Sequence, residues 1–407
     1  MIIPSLDPSS GGTSQVIRNI IPELDKLGFQ NEVVCLDDPS ASFISKDPFI
    51  VNAVGPAKGP WGYSEKLVPW LTGNLGRFDV VIIHALWLYH GYAFKKALKQ
   101  YKKQLDAQGK PVKFPRFYVM PHGMLDPYFQ QASERKIKAL RNWIYWKLIE
   151  SKLVNSADGL LFTCKTELLL ARESFSPYHP RQELNVGFGV EPPPAFETAM
   201  ANAFYEKCPE VKGHSFVLSL SRIHEKKGID HLIEAYTQLL EMNEQPATAS
   251  NRSQLPKLVI AGPGLDSLYG KKMQHLVASS KKLQEVVFFP GMLSGDSKWG
   301  AFYLSDAFIL PSHQENFGIA VAEALACSKP VLISNQVNIW REIIDAGGGL
   351  VEEDTTEGTK RLLESWQSLS KEDKQEMGRK AQNSFANDFS IVPVAKRFAE
   401  LVIGSGE

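Results

Sequence analysis

Two glutamates, Glu315 and Glu323, stand eight positions apart in the stretch HQENFGIAVAEALACSKP, which runs from His313 to Pro330. Between them lie Asn316, Phe317 and Gly318, then an alanine-rich run whose composition favours helix. The segment ahead of them, 306–312, reads as a strand. The order is therefore strand, short polar loop, helix. In a parallel sheet that loop lies at the carboxyl end of the strand, where ligands bind. Eight helical residues rise roughly 12 Å. That span suits a nucleotide sugar with its hexose at Glu315, its ribose at Glu323 and its phosphates beside the first-turn amides. A solvated pair of helix glutamates has the same spacing, so the weight comes from the preceding strand and the Asn-Phe-Gly between them.

A second constellation follows the strand-like segment 215–221. Arg222 and Lys227 stand just past its carboxyl end, with Gly228 behind them and a helix next. An arginine can chelate a phosphate through two parallel bonds and a lysine adds a compact charge, so the pair could neutralise a diphosphate leaving group. A solvated basic turn is the plain alternative. Against it, Gly262 and Gly264 follow the next strand, 257–261, and Phe289-Pro290-Gly291 closes the one after, where a nucleotide base would be met. In the first half, Gly11 and Gly12 sit in a flexible turn ahead of a helix, 14–27, without the G-x-G-x-x-G spacing. Such a turn either brings backbone to a diphosphate or serves only for a positive φ. Two histidines end strands: His84 closes 79–84, and His122 follows 116–120 and precedes Gly123. His122 is the better catalytic candidate; His84 with Trp87 could line an acceptor pocket; His90 is left without a role.

The elements that hold these residues alternate along the whole chain. At 407 residues it is long for one core, and two domains are expected. Strands read at 31–36, 79–84, 116–120, 159–163 and 184–190, with a long helix over 131–155. Residues 191–195, EPPPA, can continue neither helix nor sheet. Beyond them strands read at 215–221, 257–261, 286–289, 307–311 and 330–333. Helices read at 229–242, 266–280, 319–326, 340–346, 357–370 and 371–387, with a short polar loop at 245–254. The predicted class is α/β, with two Rossmann-like doubly wound domains: 1–190, then a proline-rich linker 191–213, then 214–388. The first strand is short, as if its beginning were missing or the start assigned too late. Four scattered cysteines, Cys35, Cys164, Cys208 and Cys327, show no metal spacing and read as reduced, buried thiols of a cytosolic protein. No basic, apolar leader opens the chain and no apolar run is long enough to span a bilayer.

In combination and in this order, SRIHEKKGID, AGPG, FFPG and HQENFGIAVAEALACSKPV resemble the nucleotide-binding half of retaining glycosyltransferases of the GT-B fold, family 4. The SSGG, HALW and PHG segments resemble the acceptor half, so the resemblance covers nearly the whole chain. It implies two facing Rossmann-like domains, with the tail 389–407 forming a helix that crosses back to the first. It also implies roles: Arg222 and Lys227 on the donor diphosphate, Glu323 on ribose, and Glu315 with the backbone of Asn316, Phe317 and Gly318 at the transferred sugar. His122 would lie beside the reacting centre and Gly12 beside the phosphates. Ser221 stands where glycine is frequent, a mild departure. The short first strand leaves the geometry of Gly11 and Gly12 open.

The expectation is thus a cytoplasmic enzyme moving a sugar from a UDP- or GDP-sugar to an acceptor hydroxyl, with the retention that the resemblance implies. The acceptor would be a glycan or a lipid-linked molecule of cell-envelope or exopolysaccharide synthesis. No cofactor is expected and no nucleic-acid partner. No Asp-x-Asp pair is present, which argues against a required metal. A dinucleotide-dependent oxidoreductase shares the architecture but lacks its glycine fingerprint here. An inactive sugar-nucleotide-binding protein is opposed by the intact Arg222, Lys227, Glu315 and Glu323 set. Net charge is zero, yet residues 93–152 hold fourteen Lys/Arg against four Asp/Glu. Lys95, Lys96, Lys99, Lys102, Lys103, Arg135, Lys136, Lys138 and Arg141, with Trp143, Tyr145 and Trp146, make an anionic membrane surface a possible partner. Aromatics in a core beneath solvated lysines would read the same way.

Overall fold

The computed structural model describes residues 1–8, 11–108, 114–131, 136–242 and 255–404; Ser9, Ser10, Arg135 and the polar loop 245–254 lie outside the described residues. The chain divides into two compact units, Met1–Gly189 together with the residues from Ile391 onward, and Val190–Ser390.

The first unit is a parallel sheet in the order β3-β2-β1-β4-β5-β6-β7. Its strands are β1 (Ile2–Ile3), β2 (Glu32–Cys35), β3 (Ile50–Ala53), β4 (Val80–His84), β5 (Arg116–Met120), β6 (Gly159–Phe162) and β7 (Glu183–Asn185). The order reverses between β1 and β4, the place where open α/β sheets leave a crevice. The central strands are short apolar runs because helices cover both faces of such a sheet; Val81, Ile82 and Ile83 are all buried. The register of β4 against β5 sets His84 opposite Met120. The two loops that follow these strands therefore leave the sheet side by side.

The second unit repeats the plan with six parallel strands in the order β10-β9-β8-β11-β12-β13. They are β8 (Phe216–Leu220), β9 (Lys257–Ala261), β10 (Val287–Gly291), β11 (Ala307–Leu310), β12 (Val331–Ser334) and β13 (Gly349–Glu352). Leu220 pairs with Ala261, so the loop bearing Arg222 lies against the loop bearing Gly262. A register shift between Phe288 and Gly291 bends the end of β10. All four cysteines are buried, and none forms a disulfide among the described residues. These two sheets give the α/β, doubly wound class read from the sequence.

Several elements differ from the sequence reading. The segment 191–213 is not all linker: Thr198–Lys207 is a helix packed on the helix Gly295–Leu304. Their contact is close, since a Cβ on Gly300 would lie 2.1 Å from the Met200 carbonyl. The edge strands β3 and β13 had no counterpart in the reading. The long helix over 131–155 resolves into Tyr128–Gln131, Lys136–Tyr145, a π-helical turn Trp146–Glu150, and Ser151–Val154. The segment 184–190 pairs as strand only through Asn185.

Candidate active site

In the second unit four loops at the carboxyl ends of β8, β9, β10 and β11 interlock. The amide of Ile223 donates to the Pro263 carbonyl (2.8 Å), and that of Gly262 to the Gly291 carbonyl (2.9 Å). The amide of His313 donates to the Lys226 carbonyl (2.8 Å). Glycine is required where these loops pass closest. Gly228 has φ 63°, and a Cβ there would lie 2.0 Å from the Pro311 carbonyl oxygen. At Gly262, with φ 143°, the Ser221 carbonyl oxygen would be 1.8 Å away. Gly264 also has positive φ and lies against Ile223.

This frame brings Lys227 and Glu315 together. The Lys227 ammonium donates to Oε2 of Glu315 in an ion pair largely withdrawn from water. Glu315 is further fixed through its backbone: its amide donates to Gln336 and its carbonyl accepts from Asn338, both at 2.9 Å. The side-chain Nδ2 of Asn338 donates to Oδ1 of Asn316 (3.5 Å). Gly318, in the left-handed region, is the N-cap of the helix Ile319–Ala326. Arg222 is exposed, and its guanidinium forms no ion pair among the described residues. A partly paired lysine, an unpaired arginine and a helix start at one end of a sheet can stabilise a diphosphate.

Glu323, on the same helix, accepts from the ammonium of Lys298 at 2.8 Å. That ammonium also lies 3.9 Å from the centre of the Trp299 ring. Lys298 was not among the sequence candidates, because no local motif joins it to a carboxylate 25 positions later. Phe289 is partly buried against the core of this unit. The Phe317 ring is buried and packs edge-on to Phe389 at 5.7 Å, which leaves to a ligand the backbone that the resemblance implied. His313 pairs with Asp354 at 3.1 Å, and that bond raises its pKa above the ordinary histidine value.

In the first unit a separate cluster forms where β4 and β5 end. Nδ1 of His84 and Nε2 of His122 are 3.0 Å apart, with the rings stacked at 5.2 Å. His90 Nε2 lies 2.9 Å from the His84 carbonyl oxygen. Burial holds His122 and His90 down to about 4, and His84 well below its ordinary value. These imidazoles are therefore neutral at pH 7, and His122 can accept a proton or hydrogen-bond a neutral hydroxyl. His84 is corrected as an acceptor-pocket residue: it is 1 % exposed and supports His122 from behind. Trp87 is partly buried, against Trp146 and Phe175.

Ala85, Trp87 and His122 all have positive φ (70°, 70° and 55°), a conformation that costs a side-chain-bearing residue roughly 1–3 kcal/mol. Two buried carboxylates hold these turns. Glu150 accepts from the Trp87 amide (2.9 Å), and burial pushes its pKa up to about 7. Glu167 accepts from the Gly123 amide (2.5 Å) and from the Thr163 amide and hydroxyl (2.7 and 2.6 Å). Neither glutamate was a sequence candidate. Gly11, at φ 76°, caps the helix Gly12–Lys26, and both glycines are exposed. Among the described residues no three His, Cys, Asp or Glu side chains cluster as a metal site needs.

Residues 11–184 match the family model "Glycosyl transferase 4-like domain", and residues 203–384 match "Glycosyl transferases group 1". The chain is built from two glycosyltransferase domains. Among curated relatives, a D-inositol 3-phosphate glycosyltransferase of Kineococcus radiotolerans is 29 % identical over 222 residues, 53 % of this chain and 47 % of that protein. An uncharacterized glycosyltransferase, MJ1607 of Methanocaldococcus jannaschii, is 31 % identical over 119 residues, 29 % of this chain and 27 % of that one. The matched part thus spans half or less of the length of these relatives. Among solved structures, a glycosyltransferase from Rickettsia africae superposes with a TM-score of 0.72 at 16 % identity, covering 98 % of this chain and 96 % of that one. Anabaena Alr3699/HepE in complex with UDP and glucose superposes at 0.68 and 15 % identity, covering 99 % and 98 %. These neighbours share the GT-B fold. The matches give no support to the dinucleotide-dependent oxidoreductase.

Proposed function

We propose that this GT-B protein is a family 4 glycosyltransferase that moves a sugar from a UDP- or GDP-sugar to an acceptor hydroxyl with retention of configuration. The carrying observation is the exposed Arg222 beside the Lys227–Glu315 pair, at the carboxyl end of β8 and at the start of a helix. In this reading a donor diphosphate takes the Arg222 guanidinium and draws on Lys227, which frees one oxygen of Glu315 for the sugar hydroxyls. Glu323 turns its second oxygen to the ribose. As the glycosidic bond breaks, the bonding pair leaves with the diphosphate and the two cations stabilise the new charge. The acceptor oxygen then bonds to the anomeric carbon on the face the diphosphate has left and gives its proton to a diphosphate oxygen on that same face, which is how retention follows. In the first unit, neutral His122 is the group that hydrogen-bonds an acceptor hydroxyl, and Gly11 and Gly12 leave the start of a helix open to an anionic group. The acceptor is a glycan or lipid-linked molecule of cell-envelope or exopolysaccharide synthesis. The enzyme then works in the cytoplasm, on the inner face of the plasma membrane.

A donor panel tests this reading. Release of UDP or GDP from one sugar nucleotide, with the product anomer unchanged by NMR, is the expected result. Glu315→Ala should lower turnover at least a hundredfold, in the range lost with a group that stabilises a transition state. Activity of that variant near wild type would remove Glu315 from the mechanism. Tight binding of UDP with no turnover on any donor would favour a binding protein instead.

A further inference from the structure

The helix Lys136–Tyr145 and the π turn after it carry an apolar stripe on the outside. Ile137, Leu140, Trp143, Ile144 and Leu148 are 88, 60, 53, 45 and 62 % exposed. At about 100° per residue the first four fall within roughly 120° of arc, and Leu148, one turn further, widens it to roughly 140°. Core packing does not explain them, because the inward face is made of Asn142, Trp146, Glu150 and Leu153, all buried. Lys136, Lys138, Arg141 and Lys147 are exposed along the same segment, and the Lys147 ammonium lies 5.8 Å from the Trp143 ring centre. No acidic residue occurs between Lys136 and Ile149.

We propose that this face docks on an anionic lipid bilayer, with the aliphatic side chains and Trp143 at the headgroup–acyl boundary and the four cations on lipid phosphates. A contiguous exposed apolar surface marks an interaction site. The charges choose the occupant. A second copy related by a two-fold axis would set four cations against four. Protein interfaces are depleted in lysine at their centre, whereas three lysines and an arginine on an amphipathic helix with tryptophan suit a headgroup layer. Long basic side chains can also reach outward while their stems cover apolar surface. The aromatic contribution is narrower than the sequence suggested. Trp146 is fully buried, and the Tyr145 hydroxyl bonds to Trp61 and Leu88, so Trp143 alone of the three faces outward. The proposal rests on the transferase reading for its purpose only, to hold the enzyme where a lipid-linked acceptor lies.

Vesicle co-sedimentation of the full chain tests it. Binding to vesicles of phosphatidylcholine with phosphatidylglycerol should exceed binding to phosphatidylcholine alone by roughly tenfold or more. It should fall by a similar factor between about 0.05 and about 0.5 M salt as the charges are screened. Lys136→Glu/Lys138→Glu/Arg141→Glu should remove the anionic preference, and Leu140→Ser/Leu148→Ser should weaken binding even at low salt. A blue shift of tryptophan emission on vesicles should be lost in Trp143→Phe. UDP affinity, read by calorimetry on the same variants, reports the donor site in the other unit and should stay at the wild-type value. Vesicle binding with no binding of either UDP or GDP would leave the docking face standing and overturn the transferase reading. Equal, negligible pelleting with both vesicles would overturn the docking face. So would self-association of the wild type that Leu140→Ser/Leu148→Ser abolishes.

Discussion

Glu150 joins the chemistry of the first unit to its stability. Its carboxyl is buried, one oxygen takes the Trp87 amide, and burial carries its pKa up to about 7. In the unfolded chain an ordinary glutamate titrates near 4.3. Between these values the folded chain holds a proton that the unfolded chain has lost. The contribution of this group is therefore fully present below the unfolded pKa and is lost as pH rises through about 7. His90 and His122 act with the opposite sign, since their pKa values are depressed and folding loses ground as pH falls from 6.5 toward 4. A difference measurement isolates the carboxyl. Glu150→Gln keeps an oxygen for the Trp87 amide and cannot ionise. Its stability relative to wild type should rise by up to about 3 kcal/mol from pH 5 to pH 8.5. Urea midpoints at the two pH values read this directly, and a constant difference would mean that Glu150 ionises normally in the fold.

At the scale of elements, the loops after β8, β9 and β11 are stacked so closely that glycine decides whether they fit. Gly228→Ala must place a Cβ 2.0 Å from the Pro311 oxygen with φ at 63°, so the backbone has to move. Combined left-handed strain and overpacking should cost about 2–4 kcal/mol, and UDP affinity should fall because Lys227 shifts with its neighbour. Gly213 is the control: φ is 77° but no atom lies within 4 Å of an added Cβ. Gly213→Ala should cost only about 1–2 kcal/mol and leave UDP affinity alone. Equal losses in the two variants would show that close approach is not what Gly228 serves. The central strands were legible in the sequence because a sheet covered on both faces demands continuous apolar runs. The edge strands were not: in β3, Ile50 is exposed and the next three residues are only half-buried. Periodicity identified a helix over 131–155, of which 136–154 is helical in the structure, but not its orientation, since an apolar stripe at helical spacing looks the same facing core or solvent. Here the inward face carries Asn142 and Glu150, so the usual inference pointed the wrong way. The Arg222 and Lys227 turn and the Glu315 loop were readable as short motifs. The Lys298–Glu323 and Glu150–Trp87 contacts were not, because their partners lie far apart in sequence.

At the scale of the whole molecule, the first unit is closed by residues from the far end of the chain. Ile391–Phe398 packs on the helix Gly12–Lys26, and Ile391, Val394, Phe398 and Val402 are all buried within the first unit. Arg397 donates to the Val186 carbonyl at 3.2 Å, and Arg116 to that of Ile403 at 2.6 Å. Burying each large apolar side chain contributes roughly 1.5–3 kcal/mol, so the four together contribute about 6–12 kcal/mol. That is comparable with the entire stability of a domain, about 5–15 kcal/mol. The second unit loses nothing of its own at a cut after Ser390: Phe389 still meets Phe317, and Val190 still pairs with Ser390. Ending the chain there should therefore unfold the first unit selectively. Peptides from residues 12–189 should lose hydrogen-exchange protection and become sensitive to protease. UDP should still bind with an affinity within a few-fold of wild type, and peptides from residues 216–334 should stay protected. Retained protection of β4 and β5 in the shortened chain would show that the first unit holds its core without the returning helix. Loss of UDP binding together with protection in both halves would show that the units do not fold separately.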